Sequence, residues 1–303
     1  MADTVACRAC GALNGDDFGA CIRCGQALYN AEPAEKARRR VAATRRRVST
    51  AGPGSEPLFG RWHADTMPAA KILLFINMMV YTAHGLSVLV ATDSYDGFVS
   101  GGTVADAFRY GSFHTGALAL LALEPWRLLS ACFVHYGIVH IVMNMVGLIH
   151  LGRVAEPAIG SVRFIIAYVV SGVVGFVVTV AWTLLVPSTA SWTAGASGAI
   201  FGMLGLILGF LWRRGDPRWK GLLAQSAIYI VIFAFIPQIN NSAHVGGMLA
   251  GVAFGVLFAP GAPQPSSGWQ RLLAALLMTA ALASLALART SPLYEPVRDL
   301  TLR

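Results

Sequence analysis

The sequence predicts an all-α polytopic membrane protein that is preceded by a small cysteine-rich module. The chain of 303 residues is 55% hydrophobic and only 13% charged, whereas soluble domains are about 25% charged. Apolar runs of membrane-crossing length recur along the chain from residue 71 onwards. Two closely spaced cysteine pairs near the start predict the small module.

The module, residues 1–30, contains Cys7-x2-Cys10 and Cys21-x2-Cys24, each followed by glycine. Two such knuckles can supply four thiolates, and each glycine lets the backbone turn tightly around a sulfur. The spacing resembles short zinc ribbons, so we expect one structural zinc on these four cysteines. A redox pair, or a ribbon that has lost its metal, is the alternative. No secretory signal peptide is evident, so we expect a reducing compartment, where clustered cysteines favour metal.

Residues 31–70 are predicted to be a basic flexible linker. They are rich in Ala, Arg, Pro, Gly and Ser and carry no sustained apolar face, with a basic helix expected around 34–48. Much of the net charge of +8 lies here. A basic run of this kind can bind nucleic acid or anionic lipid. Directly before an apolar span, we prefer to interpret it as a cytoplasmic flank that fixes the topology.

Seven apolar runs follow, and we expect each of them to cross the bilayer as a helix. They lie near 72–92, 128–151, 164–187, 197–212, 222–239, 242–259 and 271–288. Loops rich in Lys and Arg alternate with loops that have none, such as 187–196 and 238–243. This alternation predicts a cytoplasmic N-terminus and an outside C-terminus, although Arg289, Arg298 and Arg303 fit it less well.

The segment 93–127 carries no clear transmembrane signal. Structureless segments of this length are usually functional in compact proteins. Its aromatic residues indicate that part of it lies in the membrane interface.

Ser197 is the candidate nucleophile. It lies where a loop becomes the fourth apolar run, between Gly195-Ala196 and Gly198. Small neighbours leave its hydroxyl accessible, and the free amides of a helix start favour negative charge. Alone, such a serine is more often a packing residue. However, glycine stripes on the fourth and sixth runs let these helices approach closely, which would bring Ser197 next to His244, the candidate base.

No third member of a catalytic triad is visible in the sequence, and the nearest carboxylates lie in loops. Residues 163–212 and 221–260 contain no Asp or Glu, so a serine hydrolase here would use a Ser–His dyad. His140 and Asn144 share one helix face and offer N–H donors for an oxyanion. Taken alone, His140 is more simply interpreted as a core histidine bonded to a neighbour.

Together these features resemble the rhomboid family of intramembrane serine proteases, over roughly residues 70–260. The motifs follow the family's order, and their joint occurrence is more specific than any one of them. They are Glu124-Pro125-Trp126-Arg127, His135-x4-His140-x3-Asn144, Gly195-x-Ser197-Gly198 and Ala243-His244-x2-Gly247-x3-Gly251.

The resemblance implies a six-helix rhomboid protease core over 71–260, with a seventh C-terminal transmembrane helix and tail over 261–303. It implies that Ser197 is the nucleophile and His244 the general base. His140, Asn144 and the Ser197 amide would form the oxyanion hole. Phe201 departs from many relatives, which have Tyr there, but a phenyl ring can still stack beneath the imidazole.

The expected function is hydrolysis of peptide bonds in or near transmembrane segments, with no cofactor for catalysis. The expected partners are transmembrane protein substrates, the lipid bilayer and a cytoplasmic protein that binds the ribbon. The Ala-, Gly- and Arg-rich composition suggests a bacterial plasma membrane. Two alternatives remain: a catalytically silent rhomboid-like binding protein, and a haem or metal binder. The second would use His84, His135, His140, His150 and His244.

Overall fold

The computed structural model describes residues 4–7, 9–15, 20–21, 23–26, 28, 67–236, 239–258 and 266–301. The chain divides into two compact units, residues 1–61 and 62–303. Apart from its last four residues, the predicted linker lies outside the described residues, as does its basic helix.

The N-terminal unit contains a two-stranded antiparallel sheet. Strand β1 (Thr4–Ala6) pairs with β2 (Leu13–Gly15), with Ala6 opposite Leu13. Each cysteine pair forms a tight turn in which the glycine after the second cysteine adopts a left-handed conformation: Gly11 has φ 71° and Gly25 has φ 72°. The glycines therefore have the role that the sequence predicts.

The second unit is helical. Its helices are α1 (Pro68–Thr92), α2 (Asp96–Val99), α3 (Val104–Tyr110), α4 (Leu118–Leu123), α5 (Arg127–Ser130), α6 (Gly137–Ile159), α7 (Ser161–Leu185), α8 (Ser197–Arg213), α9 (Arg218–Ala234), α10 (Asn241–Phe258), α11 (Gly268–Arg289) and α12 (Tyr294–Thr301). A helix therefore occupies each of the seven predicted runs. Within the described residues, five of them, α1, α6, α7, α10 and α11, are long and apolar enough to cross a membrane.

Helix α8 is apolar but has only 17 residues. Helix α9 also has 17 residues and is less apolar, since its first turn carries Arg218 and Lys220. The chain is thus a multi-pass integral membrane protein with five to six candidate spans, fewer than the seven runs that the sequence predicts.

The second predicted span is displaced. The sequence predicts a helix over 128–151, whereas α6 begins at Gly137 and continues to Ile159. Gly137 has φ 77°, and a Cβ there would overlap the carbonyl of Val99. This close approach of two backbones breaks the apolar run into short helical turns followed by a long helix, so His135 precedes the helix.

Helix α8 lies at the centre of the bundle, between α7 and α10. Every residue from Gly198 to Gly209 is buried. A methyl group added at Gly247 or Gly251 of α10 would overlap the carbonyl of Gly198 or Gly202. The two glycine stripes therefore bring the backbones of α8 and α10 into direct contact, as the sequence predicts.

The 93–127 segment folds into short helices and one strand. Strand β3 (Phe113–His114) pairs antiparallel with β4 (Trp192–Thr193), and Phe113 lies opposite Thr193. The β3–β4 ribbon connects the 93–127 segment to the residues that lead into α8.

Candidate functional site

Ser197 and His244 meet at the start of their helices. Ser197 is the first residue of α8, and His244 lies in the first turn of α10. The hydroxyl Oγ of Ser197 and the Nε2 atom of His244 are 2.9 Å apart. The close contact of α8 and α10 places these two side chains together, which is the proximity that the glycine stripes predict.

The imidazole of His244 is held between aromatic rings. Phe201, one turn into α8, stacks on it with a centroid distance of 4.3 Å and an interplanar angle of 7°. Phe233 of α9 contacts it edge-on at 5.9 Å. The Nδ1 atom of His244 has no hydrogen-bond partner within the described residues. Packing therefore orients the ring where a carboxylate often does.

His140 lies against residues 194–196, the loop before Ser197, which we call the serine loop. The backbone N–H of Tyr136 donates to its Nδ1 atom at 3.2 Å. Because Nδ1 accepts, the neutral ring carries its hydrogen on Nε2. A Cβ added at Gly195 would lie 2.7 Å from this Nε2 and 3.9 Å from Ser197 Oγ. The N–H group of His140 is thus directed to the loop that holds the hydroxyl.

Asn144 lies one turn further along α6 and is buried. Its amide NH2 donates one hydrogen to the carbonyl of His140 at 2.8 Å, and its Oδ1 atom has no partner within the described residues. Within the described residues, the second amide hydrogen has no acceptor. His140 and Asn144 share the face of α6 that the four-residue spacing predicts.

The loop before Ser197 is anchored by contacts that the sequence does not reveal. The N–H of Gly195 donates to the carbonyl of Ala131 at 2.8 Å. The N–H of Ala196 donates to Nε2 of the buried His135 at 3.4 Å. His135 is therefore an anchor for the serine loop, and its conspicuous place in an apolar run is the only signal for this in the sequence.

Asn240 organises the start of α10. Its Oδ1 atom accepts hydrogen bonds from Thr179 and Ser242 and from the N–H of Ala243. Its amide donates to Thr193 Oγ1 at 2.9 Å. One side chain thus connects α7, β4 and α10 beside His244, and its role emerges only when three distant segments are brought together.

Two of the other candidate histidines, His84 and His150, take no part in the contacts of Ser197 and His244. His84 is buried against Tyr110, and both of its ring nitrogens lack partners within the described residues. His150 bonds a carbonyl of its own helix. In the described part of the chain, the four cysteines form the one group of three or more His, Cys, Asp or Glu side chains placed to share a metal. Within the described residues, the histidines therefore form no group of three or more metal ligands.

The four cysteine sulfurs of the N-terminal unit cluster within 4.8 Å of one another. Cys7 and Cys24 have sulfurs 3.7 Å apart, and those of Cys10 and Cys21 are 3.6 Å apart. A tetrahedral zinc with bonds of about 2.3 Å requires sulfur separations of about 3.8 Å. The N–H of Arg23 donates to Cys21 Sγ, which lowers the pKa of that thiol.

The family model and the similar proteins all point to one family. The family model for the rhomboid domain matches residues 122–261. RHOMBOID-like protein 6, mitochondrial, of Arabidopsis thaliana is 34% identical over 48% of this chain and 47% of its own length. Rhomboid protease GluP of Bacillus subtilis is 35% identical over 52% of this chain and 30% of its own length.

The relatives also include a protein named as inactive. Inactive RHOMBOID-like protein 8 of Arabidopsis thaliana is 32% identical over 45% of this chain and 40% of its own length. In each of these three matches, the aligned part covers less than half of the relative's length. Similarity therefore gives the family but leaves activity to be argued from the site.

Proposed function

Because the chain belongs to the rhomboid family, we propose that it is an active intramembrane serine endopeptidase that cleaves membrane-spanning protein substrates. The observation that carries this proposal is the 2.9 Å contact between Ser197 Oγ and His244 Nε2. This is the geometry in which a base can accept the proton of an attacking hydroxyl. A catalytically silent rhomboid-like protein would not need this contact.

The proposed reaction has two stages. Ser197 Oγ attacks the peptide carbonyl while His244 Nε2 takes the hydroxyl proton. The tetrahedral intermediate then breaks the C–N bond, and His244 returns the proton to the leaving amine. A water molecule attacks the acyl-enzyme with His244 again as base, which releases the second product and regenerates Ser197.

The oxyanion of each tetrahedral intermediate needs fixed donors. We assign this role to the Nε2–H of His140, the free amide hydrogen of Asn144 and the backbone N–H of Ser197. The hydrogen bond from Tyr136 sets the tautomer of His140, so that its N–H faces the serine loop. Donors fixed in advance stabilise the developing charge without a reorganisation cost.

The proposed catalytic core, residues 71–260, comprises six transmembrane helices, α1 and α6 to α10, and α11 is a seventh, added helix. We propose that substrates enter beside α9. This helix is the loosest part of the core, since Ser226 is its one buried residue. An opening there would expose the Phe233 side of His244 to the bilayer.

We propose that the N-terminus is cytoplasmic and that the protein lies in a bacterial plasma membrane. The alternation of basic and uncharged loops supports this orientation. The site would then lie near the extracytoplasmic face, because the loops 187–196 and 238–243, which precede Ser197 and His244, carry no Lys or Arg.

The cysteine cluster is proposed to bind one structural zinc through Cys7, Cys10, Cys21 and Cys24. The sulfur separations of 3.6 and 3.7 Å fit a tetrahedral Zn–S4 site. Zinc there would hold the small fold together and takes no part in the reaction. We propose that this ribbon binds a cytoplasmic protein.

The test is cleavage of a model transmembrane substrate by the purified full chain in detergent or vesicles. The wild type should cleave it, and both Ser197→Ala and His244→Ala should not. Ser87→Ala is a matched control, because this hydroxyl bonds only a carbonyl of its own helix. If the folded wild type is inactive on several such substrates while it still binds them, the protein is a silent relative and the proposal is wrong.

A further inference from the structure

The chain that follows α11 folds back onto the 93–127 segment. The hydroxyl of Ser291, just after α11, donates to Oε1 of Glu124 at 2.6 Å. Ser291 is 9% exposed and Glu124 3%. This contact joins residues 167 positions apart, and it is a buried hydrogen bond to a carboxylate, a type stronger than a neutral one.

Glu124 also forms an ion pair with a buried arginine, Arg127. Its other oxygen, Oε2, is 2.5 Å from Nε of Arg127. The Nη1 group of Arg127 donates to the carbonyls of Phe108 and Ser112 at 2.6 and 3.0 Å. The guanidinium also lies 3.4 Å from the centroid of the Phe108 ring. One ion pair therefore fixes the path of the backbone from residue 108 to 112.

The backbone that Arg127 holds leads directly to the serine loop. Ser112 precedes β3, whose Phe113 pairs with Thr193 of β4. Thr193 is two residues before Gly195, which lies against His140. A shift of residues 108–112 would thus be transmitted through the β3–β4 ribbon to the residues that position Ser197.

Two further contacts attach the C-terminal segment to the same region. The guanidinium of Arg289 lies 4.7 Å from the centroid of Tyr110, and that of Arg109 lies 4.9 Å from the centroid of Tyr294. Val297 of α12 is buried. The contact with the Tyr110 ring gives Arg289 a structural role, although its charge does not fit the alternation of basic and uncharged loops.

We propose that four residues at or after the end of α11 form a clamp that positions the serine loop through Glu124, Arg127 and the β3–β4 ribbon. They are Arg289, Ser291, Tyr294 and Val297. The proposal rests on the proposed protease function, because positioning is judged by turnover. Ser291 touches neither substrate nor reacting atoms and is a positioning residue. Removing its hydroxyl leaves a buried carboxylate oxygen without that partner, which loosens the ion pair on which the loop depends.

The kinetic test compares Ser291→Ala with Ser291→Thr and Thr290→Ala in the full chain. Ser291→Ala should lower kcat roughly three- to tenfold with little change in KM, as expected for a perturbed positioning network. Ser291→Thr keeps the hydroxyl and should restore kcat. Thr290→Ala is the matched control, because Thr290 is exposed and its hydroxyl bonds only carbonyls of α11, the helix that it follows. A lower Tm with unchanged kcat per folded molecule would overturn the proposal.

A second measurement does not depend on activity. Hydrogen exchange of the amides of residues 108–115 should become faster in Ser291→Ala and remain unchanged in Thr290→Ala. If no variant or wild type cleaves, the protease proposal fails, while faster exchange would still support the clamp contact. Unchanged exchange at these amides would overturn the clamp whether or not the wild type is active.

Discussion

Phe201 provides the sharpest test of how His244 is held. The phenyl ring lies parallel to the imidazole at 4.3 Å, and Nδ1 of His244 has no partner in the described structure. An aromatic pair of this kind is worth about 0.5–1.5 kcal/mol beyond its buried area. Because about 1.4 kcal/mol corresponds to a factor of ten, Phe201→Ala should reduce turnover roughly two- to twelvefold through the loss of ring alignment alone.

The same substitution also removes a buried side chain. Truncations of buried Phe to Ala cost about 3–5 kcal/mol, so the Tm should fall as well. Phe164→Ala separates the two effects, because Phe164 is fully buried and contacts Tyr168, away from the imidazole. Phe201→Tyr keeps the stacked ring and should be tolerated.

The assay is kcat on a model transmembrane substrate, divided by the folded fraction from size-exclusion chromatography of the same preparation. Phe201→Ala should lose turnover per folded molecule, whereas Phe164→Ala should lose stability and keep turnover. Equal turnover per folded molecule in the two variants would reject the stacking role of Phe201.

Three other perturbations test separate parts of the structure. Asn144→Ala should lower kcat about 10²–10³-fold and leave residual cleavage, because one oxyanion donor is lost; wild-type kcat would make Asn144 structural. Elemental analysis should find one zinc per chain, and deletion of residues 1–30 should remove it yet preserve cleavage; loss of activity from a folded, monodisperse core would contradict this. Gly251→Ala should lower the Tm, because its methyl would overlap the Gly202 carbonyl; an unchanged Tm would show that α8 and α10 can separate.

The sequence predicts the parts of the fold that depend on periodic patterns. Apolar runs locate a helix in each of the seven predicted places, because long apolar segments satisfy their backbone groups as helices in lipid. The glycine stripes predict the contact of α8 and α10 because close helix packing requires small residues on both surfaces. From that contact the proximity of Ser197 and His244 follows.

Tertiary contacts determine what the sequence does not predict. The start of α6 depends on Gly137 lying against the backbone of Val99, which no local pattern encodes. The hydrogen bond between Ser291 and Glu124 joins segments 167 residues apart. The hydrogen-bond network of Asn240 likewise depends on three elements that meet only in the folded bundle.

The most direct test of the central claim is to identify the residue that reacts with a fluorophosphonate, a reagent that phosphonylates activated serines with loss of fluoride. Intact-mass and peptide mass spectrometry of the labelled full chain should find a single adduct, on Ser197. His244→Ala should abolish labelling while the protein remains folded, because the hydroxyl then lacks its base. A labelled residue other than Ser197, or undiminished labelling of Ser197 in His244→Ala, would contradict the assignment of the Ser197–His244 dyad.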